Sequence, residues 1–144
     1  MMQGMSVIVK TIARMMVGFV FMYGIYIILH GHLTPGGGFA GGCIVAGAFV
    51  LLYLAYGRDE AKEKLQSSLT SIFESIGAFL FWLIALTGII WGYFFFNFIE
   101  RGTPLSILSG GIIPLANIAI GIKVASALFG IFIALASVKF VLRE

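Results

Sequence analysis

Four apolar stretches in this chain are each long enough to cross a lipid bilayer, which takes about 20 predominantly apolar residues in a helix. They cover approximately residues 6–29, 37–56, 71–98 and 112–141. Hydrophobic residues make up 60% of the chain and charged residues only 10%, a balance that ordinary water-soluble domains do not show. We therefore predict an all-α integral membrane protein, with residues 1–144 forming a single domain of four transmembrane helices and short loops.

The first apolar stretch could also be read as a signal peptide. Lys10 and Arg14 form a charged flank before a clean apolar run of about 15 residues. No small-residue cleavage site follows this run, and residues 31–38 lead directly into the second apolar stretch. We therefore interpret the first stretch as a retained helix.

Basic residues lie mostly on one side of a four-helix zigzag. That side carries Lys10, Arg14, Arg58, Lys62, Lys64, Lys139 and Arg143, whereas the opposite side carries only Arg101. Because positive charge is enriched in cytoplasmic loops, we predict a multi-pass protein of the cell (plasma) membrane with both termini and the 57–70 loop in the cytoplasm. This placement explains the net charge of +3 without a nucleic-acid partner.

The stretch GHLTPGGGFAGG, residues 31–42, interrupts the first two apolar runs. Pro35 fixes its own φ and ends the first helix, while the three glycines at 36–38 allow backbone angles that are closed to other residues. We therefore predict a tight or partly unwound turn at the membrane edge. Irregular backbone at this depth has to be covered by protein or water, so the turn should pack against neighbouring helices.

Small residues recur at four-residue spacing in two places. Gly38, Gly42 and Ala46 form a stripe along the second span, and Gly88 with Gly92 forms a pair near the end of the third. Stripes of this kind let membrane helices approach closely. Both are predicted to be helix contacts.

Lys123 is the residue that the membrane setting singles out, because it lies about 11 residues, or about 16 Å, into the fourth span and so close to the midplane. A cation at that depth is costly unless a partner, water or loss of the proton relieves it. Small residues share its helical face, namely Ala116, Ala119, Ala127, Gly130, Ala134 and Ser137. We expect Lys123 to point into protein, either in a salt bridge with a neighbouring subunit's carboxylate or as a proton relay or charge gate.

Four further residues are candidates for an ion or proton path. Glu74 enters the third span near its cytoplasmic end, either as a helix N-terminal acid favoured by the helix dipole or as the mouth of a proton path. Asn117 is explained by interhelical hydrogen bonding. His30 and His32 are expected to contact carbonyls freed by the turn, with a proton-handling role open. Because zinc takes three or four protein ligands, we predict no metal site.

The glycine stretch closely resembles the signature of the B-subunit family (MnhB/MrpB) of Mrp-type sodium/proton antiporters, where it lies between the first two of four transmembrane helices. The matching positions are Gly31, His32, Pro35, Gly36, Gly37, Gly38, Phe39, Gly41 and Gly42. Chain length and helix count also fit, so the resemblance covers essentially the whole chain. It implies an accessory membrane subunit of a multi-subunit ion-translocating complex, with other membrane subunits as partners and Na⁺ and H⁺ as the transported ions.

Two departures from the signature bear on the kind of complex. Leu33 stands where the antiporter version usually has asparagine, and Asn117 stands where an acidic residue is expected. Both favour the antiporter-like module of an archaeal membrane-bound hydrogenase or related sulfur-reducing complex. The resemblance then implies a NiFe centre and iron–sulfur clusters in partner subunits, with no cofactor in this chain. A subunit of a free-standing Mrp antiporter is the alternative.

Two other function classes compete with the accessory subunit. A self-contained homo-oligomeric transporter would need polar residues that line a path within one chain. Lys123 alone is weak evidence for such a path. A membrane enzyme would need several catalytic groups on one side of the membrane. The sequence has no paired intramembrane carboxylates, serine/histidine set, cysteine cluster or complete phosphate-binding loop, so we predict no catalytic residues in this chain.

Overall fold

The computed structural model describes residues 5–57, 67–107 and 109–141. Within this part of the chain the secondary structure is helical, with α1 (Val7–Leu29), α2 (Gly37–Tyr56), α3 (Ser67–Ile90) and α4 (Ile113–Val141) in that order and no strand. All four helices are long and apolar enough to cross a membrane. The predicted all-α class and the predicted number of four membrane-spanning helices are confirmed.

The first, second and fourth helices match the predicted spans to within one residue at each end, but the third does not. The predicted span 71–98 is wrong at its end, because α3 already ends at Ile90. Gly92 (φ 146°) and Phe95 (φ 61°) turn the chain after the helix. The Phe95 amide then donates a hydrogen bond to the Ala85 carbonyl at 3.3 Å, so this apolar segment folds back along the helix instead of extending it.

The predicted helix contact at Gly88 and Gly92 is also wrong. Gly92 lies beyond the end of α3. Gly88 packs against main chain of the folded-back loop, where an added methyl group would lie 2.9 Å from the Phe95 nitrogen and 2.9 Å from the Tyr93 carbonyl oxygen. The missing side chain at Gly88 therefore makes room for the loop and not for another helix.

The helices form an open row in the order α1, α2, α4, α3. α2 packs against both α1 and α4, and α3 packs substantially only against α4. The burial of the spans follows this order, since 44% of the α2 span is buried, compared with 17% for α1 and for α3. The helices also have two ends along their axes. We call the end that carries residues 30–36, 91–107 and 109–112 the turn end, and the end at which α1 and α3 begin the terminal end.

Glycines give α2 two close-packing faces. A methyl group added to Gly42 would lie 2.9 Å from the Gly121 carbonyl oxygen of α4, and one added to Gly41 would lie 2.7 Å from the Gly24 carbonyl oxygen of α1. The predicted small-residue stripe is therefore a helix contact, as expected. Gly41 therefore packs on α1 and Gly42 packs on α4, so α2 lies between these two helices.

Towards the terminal end, aromatic side chains take over the contact between α2 and α4. The Phe49 and Phe129 rings lie 5.6 Å apart, and Tyr53 meets Phe132 edge-on at 5.4 Å. Phe129 is 2% exposed and forms the core of this cluster with Tyr53. The contact between α2 and α4 thus changes from glycine residues near the turn to aromatic residues towards the terminal end.

The contact at Gly42 generates a stability prediction. Gly42→Ala would press a methyl group against the main chain of α4, which cannot move cheaply, and overpacking of this kind costs about 1–3 kcal/mol. We expect a lower thermal midpoint of the purified protein in detergent, measured by the loss of its monodisperse elution peak after heating.

Gly47→Ala is the matched control on the same helix. No atom lies within 4 Å of a methyl group added there, and alanine is the better helix former by about 1 kcal/mol. Its thermal midpoint should equal or exceed that of the wild type. Equal midpoints for the Gly42 and Gly47 variants would contradict the close packing of α2 on α4.

Candidate functional site

The turn between α1 and α2 is built by hydrogen bonds to the carbonyl of His30, the residue that follows α1, and by two glycines. The amides of Leu33 and Thr34 both donate to the His30 carbonyl, at 2.8 and 2.9 Å. Gly36 (φ 139°), immediately before α2, and Gly37 (φ 73°), the first residue of α2, then adopt left-handed backbone angles. The predicted need for glycine is confirmed at these two positions, whereas Gly38, the second residue of α2, has no positive φ.

The turn is covered by α4, through Asn117. The Gly38 amide donates to Asn117 Oδ1 at 3.3 Å, which satisfies one of the free amides at the start of α2. A methyl group on Gly31 would lie 2.7 Å from Asn117 Nδ2, and one on Gly37 would lie 3.3 Å from Oδ1. The predictions that the turn packs against protein and that Asn117 makes an interhelical hydrogen bond are therefore confirmed. Asn117 Nδ2 is buried without a hydrogen-bond partner.

The two histidines contact main-chain carbonyls of different segments. His30 Nδ1 lies 3.1 Å from the Tyr26 carbonyl oxygen, and its ring stacks on the Tyr26 ring at 4.0 Å. His32 reaches the loop before α4, where its Nε2 lies 3.2 Å from the Ser106 carbonyl oxygen. A carbonyl can only accept, so Nε2 carries the proton, and Nδ1 is left buried without a partner. His30 thus contacts the Tyr26 carbonyl, which also accepts from the His30 amide, and His32 contacts a carbonyl outside the turn. Contrary to the expectation from the sequence, neither is a carbonyl freed by the turn.

Asn97 is a structural residue that the sequence analysis missed. Its Oδ1 accepts from the Ile112 amide at 3.1 Å, and its Nδ2 lies 3.4 Å from the Gly110 carbonyl oxygen. Asn97 thereby ties the folded-back loop to the start of α4, at a point where Gly110 (φ 95°) and Gly111 (φ 65°) turn the chain. The available signal was an asparagine within the aromatic run WGYFFFNF, which the overlong third span obscured.

Lys123 lies in the middle of α4, as the eleventh residue of a candidate span that runs from Ile113 to Ala136. Its main chain packs closely on α3, since a methyl group on Gly77 would lie 2.7 Å from the Lys123 nitrogen and 2.9 Å from its Cβ. Its side chain is nevertheless exposed on the surface of the chain. This chain alone therefore does not enclose Lys123, and the expectation that it points into protein is met only if another subunit covers it.

Glu74 is the eighth residue of α3, so its interpretation as a helix N-terminal acid is wrong. The dipole effect is confined to the first turn, which here lies before Glu74. Glu74 stands three residues before Gly77 and therefore shares the helix face that packs on α4. Its side chain is half-buried. We call the contact between α3 and α4 around Gly77 and Lys123 the α3–α4 seam. Glu74 and Lys123, which the sequence analysis treated separately, both lie along this seam.

Four of the five candidate residues form two groups, whereas His30 contacts Tyr26 of α1. Asn117 and His32 belong to a cluster at the turn end that hydrogen-bonds main-chain groups, together with Asn97, whereas Glu74 and Lys123 lie along the α3–α4 seam. Among the described residues, no three His, Cys, Asp or Glu side chains are grouped so that they could hold a metal ion. The turn-end cluster satisfies main-chain groups, and the α3–α4 seam carries one acidic and one basic side chain.

Comparison with known proteins identifies relatives over most of the chain. A family model described as a domain related to the MnhB subunit of Na⁺/H⁺ antiporters matches residues 8–130. An uncharacterized protein of Methanocaldococcus jannaschii is 38% identical over 128 residues, which cover 84% of this chain and 48% of the relative. A putative antiporter subunit mnhB2 of Staphylococcus aureus is 33% identical over 103 residues, 72% of each chain.

A solved structure is also similar in fold. A chain of the membrane-bound sulfane sulfur reductase, an archaeal respiratory membrane complex, superposes with a TM-score of 0.77 at 36% sequence identity. The match covers 88% of this chain and 56% of the reductase chain. The present chain thus spans about half the length of that chain and of the Methanocaldococcus relative.

The glycine signature, the four spans and the family match agree, and the family match covers all of α1, α2 and α3 apart from the first residue of α1. The chain therefore belongs to the family of domains related to the MnhB subunit of Na⁺/H⁺ antiporters.

Proposed function

We propose that this chain is an accessory membrane subunit of a multi-subunit ion-translocating complex. The observation that carries the proposal is the superposition on a chain of an archaeal respiratory membrane complex, with a TM-score of 0.77 over 88% of the present chain. The mnhB2 relative of Staphylococcus aureus, itself described as a putative antiporter subunit, supports the same role.

The open row of helices also supports a subunit role. α3 has one substantial neighbour in the chain, and only 17% of its span is buried. Without a hydrophobic driving force between helices in lipid, a helix keeps its place through close packing and polar contacts. A row with two sparsely packed outer helices fits a protein whose outer faces are completed by other membrane subunits and by lipid.

Two observations support one kind of complex. The reductase relative is part of a respiratory complex, and Leu33 and Asn117 depart from the antiporter version of the signature. We therefore place the chain in the antiporter-like module of a membrane-bound hydrogenase or sulfur-reducing complex. The free-standing Mrp antiporter is the second candidate, favoured by the Staphylococcus relative.

In this proposal the chain contributes structure and charge, and other subunits contribute cofactors. A NiFe centre or iron–sulfur clusters would belong to partner subunits, and Na⁺ and H⁺ would be the ions moved by the complex. The turn-end cluster anchors α2 to α4, while Glu74 and Lys123 are the residues of this chain placed to influence ion movement. Both chain termini lie in the cytoplasm, because the basic residues are concentrated on that side.

Co-purification tests the accessory role. An affinity-tagged copy of the chain, extracted from native membranes in a mild detergent, should recover several other membrane subunits, and the redox version predicts iron and nickel in the eluate by elemental analysis. Recovery of membrane subunits without either metal would favour the free-standing antiporter. A stable homo-oligomer that moves ions by itself in liposomes would contradict the accessory role.

The hydrogen bond between Asn117 and the Gly38 amide generates a second prediction. Asn117→Leu removes the acceptor and leaves the amide unsatisfied, which costs about 1–3 kcal/mol, so the thermal midpoint of the purified complex should fall. Asn117→Asp retains an acceptor at the positive end of α2 and loses the unpartnered Nδ2, so it should lower the midpoint less.

Ion flux in inverted vesicles, measured for the same two variants, separates a structural role from a role in the path. If Asn117 only anchors the turn, flux per assembled complex should be similar for Asn117→Asp and the wild type. A lower midpoint for Asn117→Asp than for Asn117→Leu would contradict the role of Oδ1 as the acceptor at α2.

A further inference from the structure

Lys123 is a cation in the middle of a membrane span, and it lies on the outside of the chain. Lysines near the ends of a span can extend to the membrane surface, but at the eleventh of 24 residues Lys123 is about 15 Å from the start of α4. Charged residues at this depth face protein or a water-filled cavity, and many of them are paired with an opposite charge. A carboxylate partner would stabilise the charge of Lys123 in this way.

The described part of this chain records no ion pair for Lys123. Glu74 is the carboxylate on the same α3–α4 seam, but the geometry of the two helices directs the side chains apart. Gly77 of α3 lies beside Lys123, and Thr70 lies beside Gly130, so α3 and α4 run antiparallel. Because each Cα–Cβ bond tilts towards the start of its own helix, Glu74 leans to the terminal end and Lys123 to the turn end.

The surface around Lys123 is apolar. Phe73 and Leu80, on the turns of α3 either side of Gly77, are 51% and 39% exposed. Ala119, one turn before Lys123 on α4, is buried against α3. A single cation within an apolar surface is complementary to an apolar helix that carries one negative charge at the same depth. Lipid phosphates do not provide that charge, because they lie at the membrane surface, outside the hydrocarbon core.

We propose that the surface of α3 and α4 around Lys123 docks a transmembrane helix of a partner subunit, whose mid-membrane Asp or Glu pairs with Lys123. This inference rests on the proposed function, because it requires a membrane partner. It adds the docking position and the chemistry of the partner. Close packing at Gly77 holds the main chain of Lys123 against α3, so the two helices present the lysine and the apolar side chains as one surface.

The test uses the tagged chain in its native complex and compares three variants. Lys123→Arg keeps the charge and should retain the partner at a level near that of the wild type. Lys123→Met leaves the partner's carboxylate without a counter-charge, and Lys123→Glu adds a like charge, so partner recovery should fall at least about tenfold for Lys123→Glu and less for Lys123→Met. Because Lys123 is exposed, the amount of tagged chain in the membrane should remain unchanged in all three.

Cross-linking identifies the partner helix. A photoreactive amino acid at position 80, next to the lysine, should capture one partner subunit, and mass spectrometry of the product should show a membrane peptide containing Asp or Glu. Lys123→Glu should abolish this product. A photoreactive amino acid at position 19, whose native Phe19 is 68% exposed on α1 at the far end of the row, is the control that Lys123→Glu should leave unaffected.

Exchanging the charges of Lys123 and the partner carboxylate tests directly whether the two side chains pair. Replacing the identified carboxylate by lysine in the Lys123→Glu background should restore partner recovery, which a folding defect at Lys123 would not allow. Wild-type recovery of partners with both Lys123→Met and Lys123→Glu would overturn the inference, whatever the ion flux, and leave the proposed function intact. Cross-linking at position 80 only to a second copy of this chain would overturn it as well. Failure of the wild-type chain to recover any membrane subunit would overturn both.

Discussion

Every main-chain polar group inside a bilayer has to find its hydrogen-bond partner within the protein, and this requirement determines how the turn end is built. Helices meet it along the spans. Where the helices are interrupted, side chains meet it instead, since Asn117 accepts from the Gly38 amide and Asn97 accepts from the Ile112 amide. The beginnings of α2 and α4 therefore each depend on an asparagine from another part of the chain. Because Asn117 belongs to α4, the turn before α2 is complete only when α4 is in place.

The same glycines that permit the turn also set the order of the helices. Gly41 and Gly42 are neighbours in sequence but face different helices, so α2 is held closely on both sides. α3 has no equivalent pair, and among the described residues its one glycine packed on another helix is Gly77 against α4. The result is a row with a firmly packed centre and a sparsely packed outer helix, and the ionisable residues Glu74 and Lys123 lie at that outer contact.

Hydropathy predicted α1, α2 and α4 to within one residue because Pro35, the adjacent glycines and the loop before α4 interrupt the apolar pattern. It failed after Ile90, where the aromatic run is as apolar as a helix and only the conformation of Gly92 and Phe95 shows that the chain turns back. The error concealed Asn97 as a loop residue. Glu74 also lies beyond the first helical turn, because the residues before the predicted span are already helical from Ser67.

The turn residues could be predicted because their constraint is local. The short connection and Pro35 require a positive φ at Gly36 and Gly37, so this constraint depends only on nearby residues of the chain itself. The surroundings of Lys123 could not be predicted in the same way, since its depth follows from counting residues but its exposure depends on which helix covers α4. That difference is physical: the turn is satisfied by groups within the chain, whereas the charge of Lys123 has no counter-charge recorded within the part of the chain that the structure describes. The described part of this chain carries an exposed lysine at mid-membrane, and in our inference a carboxylate on a neighbouring membrane helix supplies its counter-charge.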